Sequence, residues 1–339
     1  MLFLAVAMLA LSVSVTQGAL AKDDDRLCSI SLAPASADTD DKAYTRIVPV
    51  EISSPSEDYV TSATDANQAD PLVITELPIT EPPTITEIEV SHLRQLTTVN
   101  LETTVAVLDT GIDRDHEELD GQVAAETNFS KSFAPDDIHG HGTHVAGIIA
   151  AKDNGLGIVG VAPGCSLLNV KVADDTGSCS ALALAKGIIW AADNGANVIN
   201  ISIELREPSP KLENAINYAW SQGSLIIAAA GNHGSEAPTY PAFYENCLAV
   251  AASGSDNNLA PLSNHGDWVD VAAPGLDIYS TLPGNDYGYK SGTSFACAYV
   301  SGIGALLLDI VTDTNNNDQL NDEVRALIEA GLQGLIPVE

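Results

Sequence analysis

The stretch that decides the fold is residues 104–113, TVAVLDTGID, which carries an apolar strand into a turn at Asp109. Residues 104–108 form a short, mostly apolar and β-branched run, and such a run is typical of a strand buried within a sheet. Gly111 allows the chain to turn sharply after the strand. The pattern therefore places the Asp109 carboxylate at the carboxyl end of a buried strand, where α/β proteins bind their ligands.

Outward from this stretch, the chain after residue 90 alternates short apolar strands with helices. This alternation predicts an α/β fold of three layers, in which a doubly wound, mostly parallel sheet carries helices on both faces. Such a fold brings the carboxyl ends of several strands to one edge of the sheet. The predicted strands are 104–108, 166–172, 198–203, 225–230, 247–252 and 269–271, and the predicted helices are 141–151, 181–194, 210–222, 294–311 and 321–330.

The N-terminal part of the chain differs in composition from the rest. Residues 1–21 predict a secretory signal peptide, because an apolar run with no charge before Lys22 ends in the small-x-small pattern Ala19-Leu20-Ala21. An uncleaved anchor is the alternative, since no basic residue precedes the run. Residues 22–90 hold seven of the 17 prolines and many acidic residues, which indicates a pro-segment or a flexible linker. We therefore expect a secreted protein whose folded domain is residues 91–339.

The composition excludes several classes of partner. Among 339 residues there are 46 acidic and 14 basic side chains, so the formal net charge is −32. Binding to nucleic acids or to anionic membranes requires a basic surface. We therefore expect no nucleic-acid binding and, after cleavage of the signal peptide, no membrane association. We further expect a monomer that needs no cofactor for catalysis.

Three further segments predict nucleophilic chemistry at the sheet edge. Residues 139–147, HGHGTHVAG, place His141 at the start of a helix, and residues 291–302, SGTSFACAYVSG, place Ser294 in the first turn of a long apolar helix. A serine hydroxyl becomes a good nucleophile when a histidine takes its proton and a carboxylate orients the histidine. In residues 226–234, IIAAAGNHG, Asn232 follows a buried strand, and its amide can donate to a developing oxyanion.

Taken singly, each motif also has a purely structural interpretation. Ser294 lies where an ordinary helix N-cap would lie, and Asn232 is a common turn residue. The histidine cluster could indicate zinc, but it lacks the glutamate of the H-E-x-x-H motif. The combination of all the motifs favours catalysis over these interpretations.

Together, and in this order, the motifs strongly resemble those of the subtilisin-like serine peptidase family, the subtilases of type S8. The resemblance covers roughly residue 100 to the C-terminus. It implies a serine endopeptidase that acts on polypeptides through an acyl-enzyme intermediate. Ser294 would attack the peptide carbonyl, His141 would act as the base, Asp109 would orient His141, and Asn232 would bind the oxyanion. The similarity extends to residues 160–163, 170–172, 197–202 and 273–275.

The same resemblance implies that the substrate backbone lies as an added strand in a cleft between two segments of the chain. These segments are Gly177-Ser178-Cys179 and Ser202-Ile203-Glu204. Glu204 stands where the family usually has glycine, and we expect its carboxylate either to narrow the first pocket or to favour basic substrate residues. Thr239 aligns with the floor of that pocket and is expected to reduce its depth.

Two alternatives to an endopeptidase stay open at this point. Ala298 replaces the family's usual proline four residues after the nucleophile, which would let amines compete with water and make the protein a peptide ligase or transpeptidase. A catalytically silent binding protein that keeps the fold is the other alternative. The intact set of four motifs argues against the silent protein.

A structural calcium site is also implied by the resemblance. The loop of residues 152–158, KDNGLGI, matches the family's calcium loop in length and glycines, and oxygen ligands at such spacing suit Ca²⁺. A plain turn is the alternative interpretation. The expected ligands are the side-chain oxygen of Asn154, the backbone carbonyls of Lys152, Leu156 and Ile158, and the carboxylate of Glu118.

Four cysteines lie in the expected catalytic domain, which is an even number in a protein that we expect to be exported. Three disulfide pairings are open to Cys165, Cys179, Cys247 and Cys297. Cys297 is alternatively a buried thiol on the helix that follows Ser294.

Overall fold

The structure is a computed structural model that describes residues 27–29, 82–97 and 101–332. The predicted signal peptide and most of residues 22–90 lie outside these ranges. The strands are β1 Leu27–Ser29, β2 Thr104–Asp109, β3 Val123–Asn128, β4 Ser166–Lys171, β5 Ser178–Ser180, β6 Val198–Ile201, β7 Leu225–Ala229, β8 Leu248–Ser253, β9 Val271–Pro274, β10 Ile278–Leu282 and β11 Asp286–Lys290. The helices are α1 Glu87–Leu96, α2 His141–Ala150, α3 Ala181–Asp193, α4 Pro210–Ser221, α5 Thr293–Ile310 and α6 Asn321–Glu329.

A seven-stranded sheet forms the middle layer, with the strand order β3-β4-β2-β6-β7-β8-β9. Every neighbouring pair in it runs parallel. The strand β2, which ends at Asp109, lies between β4 and β6 inside this sheet. Two small antiparallel pairs, β1 with β5 and β10 with β11, lie outside it. The predicted mostly parallel α/β sheet is thus confirmed.

Helices cover both faces of the sheet, because successive side chains of a strand point to opposite faces. Val105 and Val107 of β2 join one hydrophobic core, which also contains residues of α1, α2, α5 and α6. Ala106 and Leu108 join a second core with residues of α3 and α4. The three-layer arrangement expected from the sequence therefore holds.

The observed elements differ from the predicted ones at a few places. The strand predicted at 269–271 is instead Val271–Pro274. Val269 cannot begin it, because its amide donates to Gly266 O at 3.0 Å and closes a turn. Helix α1, the edge strand β3, the short strand β5 and the β10–β11 hairpin were not predicted.

The packed unit also begins earlier than the boundary expected at residue 91. That boundary falls within α1, and Val90 is buried in the first core. Upstream of α1, Ile85 N donates to Ala272 O at 2.9 Å, and Ala272 N donates to Pro83 O at 2.8 Å. Residues 83–85 therefore extend the edge of the sheet and residues 87–90 begin α1, whereas the sequence assigned them all to the pro-segment or linker.

Helix α5 is the long apolar element of the fold. Its 18 residues have the length and hydropathy of a membrane-crossing helix, yet 78% of the segment is buried inside the domain. It contacts β6, β7, β8 and β9 together with α2. Its apolar character is accounted for by this central position, which holds the start of the helix at the carboxyl ends of the strands.

Candidate active site

A buried carboxylate–imidazole pair lies at the carboxyl end of β2. Asp109 and His141 are both fully buried, and His141 Nδ1 lies 2.7 Å from Asp109 Oδ1. The amide of Thr110 donates to the same oxygen at 2.7 Å. Because a carboxylate only accepts hydrogen bonds, the ring proton is on Nδ1, and this leaves Nε2 as the basic nitrogen.

The turn before α2 fixes the position of His141. Gly140 adopts a left-handed conformation with φ of 81°, and His141 begins the helix immediately after it. A Cβ on Gly142 would overlap the carbonyl oxygen of Gly111, so only glycine allows the helix to approach the turn after Asp109 this closely. The two glycines thus bring the imidazole against the end of β2.

Ser294 lies in the first turn of α5, where the hydroxyl is almost fully buried. Its Oγ donates to Ser202 O at 3.4 Å, and Ser202 Oγ donates back to Ser294 O at 3.0 Å. His141 Nε2 makes no hydrogen bond to any described residue. The ring of Phe295, the next residue, lies 5.5 Å from that of His141. The structure therefore brings Ser294 to the same site without a Ser294–His141 hydrogen bond, which is common when no substrate is bound.

The side chain of Asn232 is oriented by the start of α5. Its Oδ1 accepts hydrogen bonds from the Thr293 amide at 2.8 Å and from the Thr293 hydroxyl at 3.1 Å. These two donors identify the oxygen end of the amide and turn the Nδ2 end, the donor, toward Gly292. A hydrogen-bond donor is thereby held next to Gly292, two residues before Ser294.

The ionisable side chains of Lys290 and His139 flank the Asp109–His141 pair. Lys290 Nζ donates to Gly140 O at 2.6 Å, and burial lowers the pKa of this lysine, with Asp137 and Asp109 acting in the opposite direction. Burial also lowers the pKa of His139, whose ring centroid lies 6.3 Å from that of His141. Burial, together with the positive charge of Lys290, favours a neutral His139 beside the imidazole of His141.

The two segments expected to line the substrate cleft lie at different strand ends. Gly177, Ser178 and Cys179 lead into and form β5, and Ser202, Ile203 and Glu204 follow β6. β5 pairs antiparallel with β1, in the register Leu27↔Ser180, Cys28↔Cys179 and Ser29↔Ser178. An extended segment of the leader thus lies against the edge that the sequence assigned to substrate.

The carboxylate of Glu204 is buried beside Gly231 and Thr239. Its Oε1 lies 2.6 Å from His233 Nε2. Burial raises the pKa of Glu204, an effect that His233 and Arg206 oppose. A Cβ on Gly231 would overlap Glu204 Oε2 and would lie 3.3 Å from Thr239 Cγ2. The Glu204 side chain thus occupies the space between Gly231 and Thr239.

Comparison with known proteins matches residues 101–332 to the model of Peptidase_S8, the subtilase family. The chain belongs to the subtilase family. It is 47% identical over 227 residues to a thermophilic serine proteinase from Bacillus sp. (strain AK1), a match that covers 66% of this chain and 55% of that protein. Thermitase from Thermoactinomyces vulgaris is 44% identical over 227 residues, with 66% and 79% covered, and subtilisin E from Bacillus subtilis (strain 168) is 43% identical over 226 residues, with 66% and 59% covered. The match thus spans little more than half the length of two of these three relatives.

The expected calcium loop of this subtilase can be tested against the contacts of Glu118. Its Oε1 accepts from Ile158 N at 3.2 Å and from the Tyr287 hydroxyl at 3.0 Å, while its buried Oε2 has no partner among the described residues. Asn154 Oδ1 accepts from Leu156 N at 2.9 Å within the same exposed loop, which Lys152 begins. The orphaned Oε2 is an oxygen ligand of the kind that Ca²⁺ prefers, whereas the loop contacts Glu118 through the Ile158 amide, so the calcium site stays a prediction.

The four cysteines of the catalytic domain, Cys165, Cys179, Cys247 and Cys297, are buried. Cys165, Cys247 and Cys297 form no disulfide with one another, and burial raises the pKa of the Cys165 and Cys297 thiols to about 12. Cys297 Sγ lies 3.2 Å from Asn200 Oδ1, below Ser294 on α5. Cys179 is held in β5, opposite Cys28 in the register of the two strands. The interpretation of Cys297 as a buried thiol agrees with these contacts.

Two residues of the site were not singled out from the sequence. Asp137 accepts hydrogen bonds from Thr110, Gly140 and Thr143, and so connects the turn after β2 to the start of α2. The available signal was that Asp137 lies just before α2, a helix with no acidic residue in its first turn, where an acid is favourable. His233 gave no such signal, because its partner Glu204 is 29 residues away in the chain.

Proposed function

We propose that this subtilase is a serine endopeptidase that hydrolyses peptide bonds in polypeptides. The observation that carries the proposal is the buried Asp109–His141 pair, set beside Ser294 at the start of α5. Membership of the subtilase family and the names of the relatives, a serine proteinase and a subtilisin among them, support it.

In the first half of the reaction, Ser294 Oγ turns from the Ser202 carbonyl toward His141 Nε2 and loses its proton to that nitrogen. The alkoxide attacks the peptide carbonyl, and Asp109 stabilises the imidazolium that forms. The proton then passes from His141 to the leaving amine, the C–N bond breaks, and an acyl-enzyme on Ser294 results. Water, activated by His141, hydrolyses the ester and regenerates the serine.

Two groups are positioned to stabilise the tetrahedral oxyanion. Asn232 Nδ2 is the donor end of an amide whose oxygen is held by Thr293. The backbone amide of Ser294 lies in the first turn of α5, and amides there have no partner within the helix. Donors that are fixed before the reaction stabilise developing charge without reorganisation.

The assignment of the substrate cleft rests on the pairing of β5 with β1. The backbone of residues 27–29 forms an antiparallel strand along Ser178–Ser180, and this is the pairing that an extended peptide substrate would make. We assign Gly177–Cys179 and the segment from Ser202 to Glu204 to the two sides of the substrate backbone.

Secretion is part of the proposal and is supported by the signal-like residues 1–21.

Labelling of the nucleophile tests the proposal directly. A fluorophosphonate probe should modify the purified chain at Ser294, identified by peptide mass spectrometry, and the chain should cleave casein. Ser294→Ala and His141→Ala should abolish both results, whereas Ser301→Ala, a buried serine further along α5, should keep both. Absence of labelling in a folded chain would indicate a silent binding protein.

An assay with an added amine distinguishes a peptide ligase from the proposed endopeptidase. Ala298 is buried in α5 at the position that suggested it. In the presence of a peptide with a free amino terminus, a ligase gives a product longer than the substrate, whereas the proposed endopeptidase gives shorter ones. Mass spectrometry of the products decides between them.

A further inference from the structure

Glu204 is a buried carboxylate with an unsatisfied oxygen. The residue is 6% exposed, and its Oε1 is engaged by His233 Nε2 at 2.6 Å. Its Oε2 has no hydrogen-bond partner among the residues that the structure describes. A buried polar atom without a partner costs free energy, and more so when it belongs to a charged group. A donor supplied from outside the chain would remove this cost.

The nearby donors of the chain are used elsewhere. Thr239 Oγ1 and Asn264 Nδ2 both donate to Ala230 O, each at 2.8 Å, although both residues lie against Gly231 as Glu204 Oε2 does. The pocket around Glu204 Oε2 thus holds an oxygen that accepts hydrogen bonds, and neither of the two nearby donors bonds to it. Its chemistry is that of a receptor for a cation or another donor.

The chain position of the pocket identifies which part of a substrate would enter it. Gly231 and His233 flank Asn232, the residue assigned to the oxyanion. Glu204 also ends the segment from Ser202 that is assigned to one side of the substrate backbone. A side chain attached to the attacked carbonyl would therefore lie next to Gly231 and reach Glu204.

We infer that Glu204 selects lysine or arginine as the substrate residue whose carbonyl is attacked. The ammonium or guanidinium of that residue would donate to Oε2, while His233 holds Oε1 and keeps the carboxylate in place. The inference rests on the proposed function and names its substrate class. The other reading of the same pocket, that Glu204 simply fills it and selects alanine, is an outcome of the test.

The test uses tetrapeptide p-nitroanilides that are identical except for the last residue, which is lysine, methionine or alanine. Methionine is the matched control because it has similar length and no charge. We expect kcat/KM for lysine to exceed that for methionine about 10- to 100-fold, which is the range for a hydrogen bond to a charged group. In Glu204→Gln the lysine-to-methionine ratio should fall by a similar factor.

Matched variants separate a local effect from a general one. Glu207→Gln removes the charge of an exposed residue three positions along the chain, and it should keep the lysine-to-methionine ratio. His233→Gln should reduce the ratio by less than Glu204→Gln, because it loosens the carboxylate without removing it. Fluorophosphonate labelling of Ser294 in each variant reports whether the site is folded.

Three results would overturn the inference while leaving the endopeptidase intact. These are labelling and cleavage with no lysine preference, a ratio that Glu204→Gln does not change, and a preference for alanine over both longer residues. Failure of labelling and cleavage in every variant, including the unaltered chain, would instead overturn the proposed function. If Glu204→Gln does not label, the comparison of Glu204→Gly with the unaltered chain takes its place, with loss of the lysine preference again expected.

Discussion

Asp137 Oδ2 accepts two hydrogen bonds from Thr143, one from the amide at 2.8 Å and one from the hydroxyl at 2.7 Å. Its other oxygen accepts from Gly140 N and from Thr110 Oγ1, both at 2.8 Å. One buried carboxylate therefore joins the first turn of α2 to the residue after Asp109. We expect this link to hold Asp109 and His141 at their distance, which would make Asp137 a positioning residue.

Replacing Asp137 should impair both stability and turnover. Asp137→Ala leaves four buried donors, one each of Thr110 and Gly140 and two of Thr143, without this acceptor, and each costs ~1–3 kcal/mol, so we expect at least about 4 kcal/mol of destabilisation. We expect kcat to fall about 10- to 100-fold with a smaller change in KM, because misplaced catalytic groups slow the chemical step. Urea unfolding in a Ser294→Ala background and steady-state kinetics measure the two effects. Asp136→Ala, an exposed neighbour, is the control, and equal effects of the two substitutions would contradict the prediction.

His144 should make the folded chain sensitive to acid. Burial lowers its pKa from 6.5 to about 3, with a further lowering by Lys290, and its Nε2 lies 3.1 Å from Gly288 O. Between these two pKa values the unfolded chain binds a proton that the folded chain does not. The free energy of unfolding therefore decreases as the pH falls below 6.5 and continues to decrease toward pH 3.

The contribution of His144 can be isolated by substitution. From pH ~6.5 to ~5 it amounts to about 2 kcal/mol, at 1.36 kcal/mol per pH unit. His144→Gln keeps a donor for Gly288 O and should flatten this part of the profile, measured by urea unfolding in the Ser294→Ala background. His265→Gln, at a more exposed histidine, should leave the slope unchanged. A slope that persists in His144→Gln would show that other groups cause it.

Calcium should stabilise the chain through Glu118. The orphaned Oε2 of Glu118 would gain a cation, and a ligand that binds only the folded state adds about 2.7 kcal/mol at one hundred times its Kd. We expect Ca²⁺ to raise Tm in the Ser294→Ala background and the rise to vanish in Glu118→Gln. Asp153→Asn, an exposed residue of the same loop, is the control. An equal rise in Glu118→Gln and the control would place the ion elsewhere.

Removal of β1 should ease substrate binding. The pairing of β1 with β5 occupies the edge assigned to substrate, so a peptide must displace it. A chain that begins at residue 31 should show a KM about fivefold lower than a chain that begins at residue 26, since one backbone hydrogen bond contributes ~1 kcal/mol. Both chains should have the same kcat. Equal KM values would mean that β1 does not compete with substrate.

The sequence predicted the buried elements well and the exposed ones poorly. Strands β2, β6 and β7 are buried on both faces and are mostly apolar along their whole length. The edge strand β3 and the hairpin strand β11 are half exposed, so neither is apolar along its whole length. The hairpin is held instead by polar contacts, in which the Ser280 and Thr281 hydroxyls donate to carbonyls at the start of α2.

The candidate site likewise has features that the sequence shows and features that only the structure shows. The sequence by itself determined the candidate residues Asp109, His141, Asn232 and Ser294, because each lies in a short motif in which neighbouring glycines, strands and helix starts are visible. Only the tertiary structure decided how the groups are supported. The links made by Asp137 to Thr110 and Thr143 and by His233 to Glu204 join turns and the start of α2 through side-chain contacts. Such contacts depend on strand order and loop packing, and these are set by burial across the whole sheet rather than by any local run of residues.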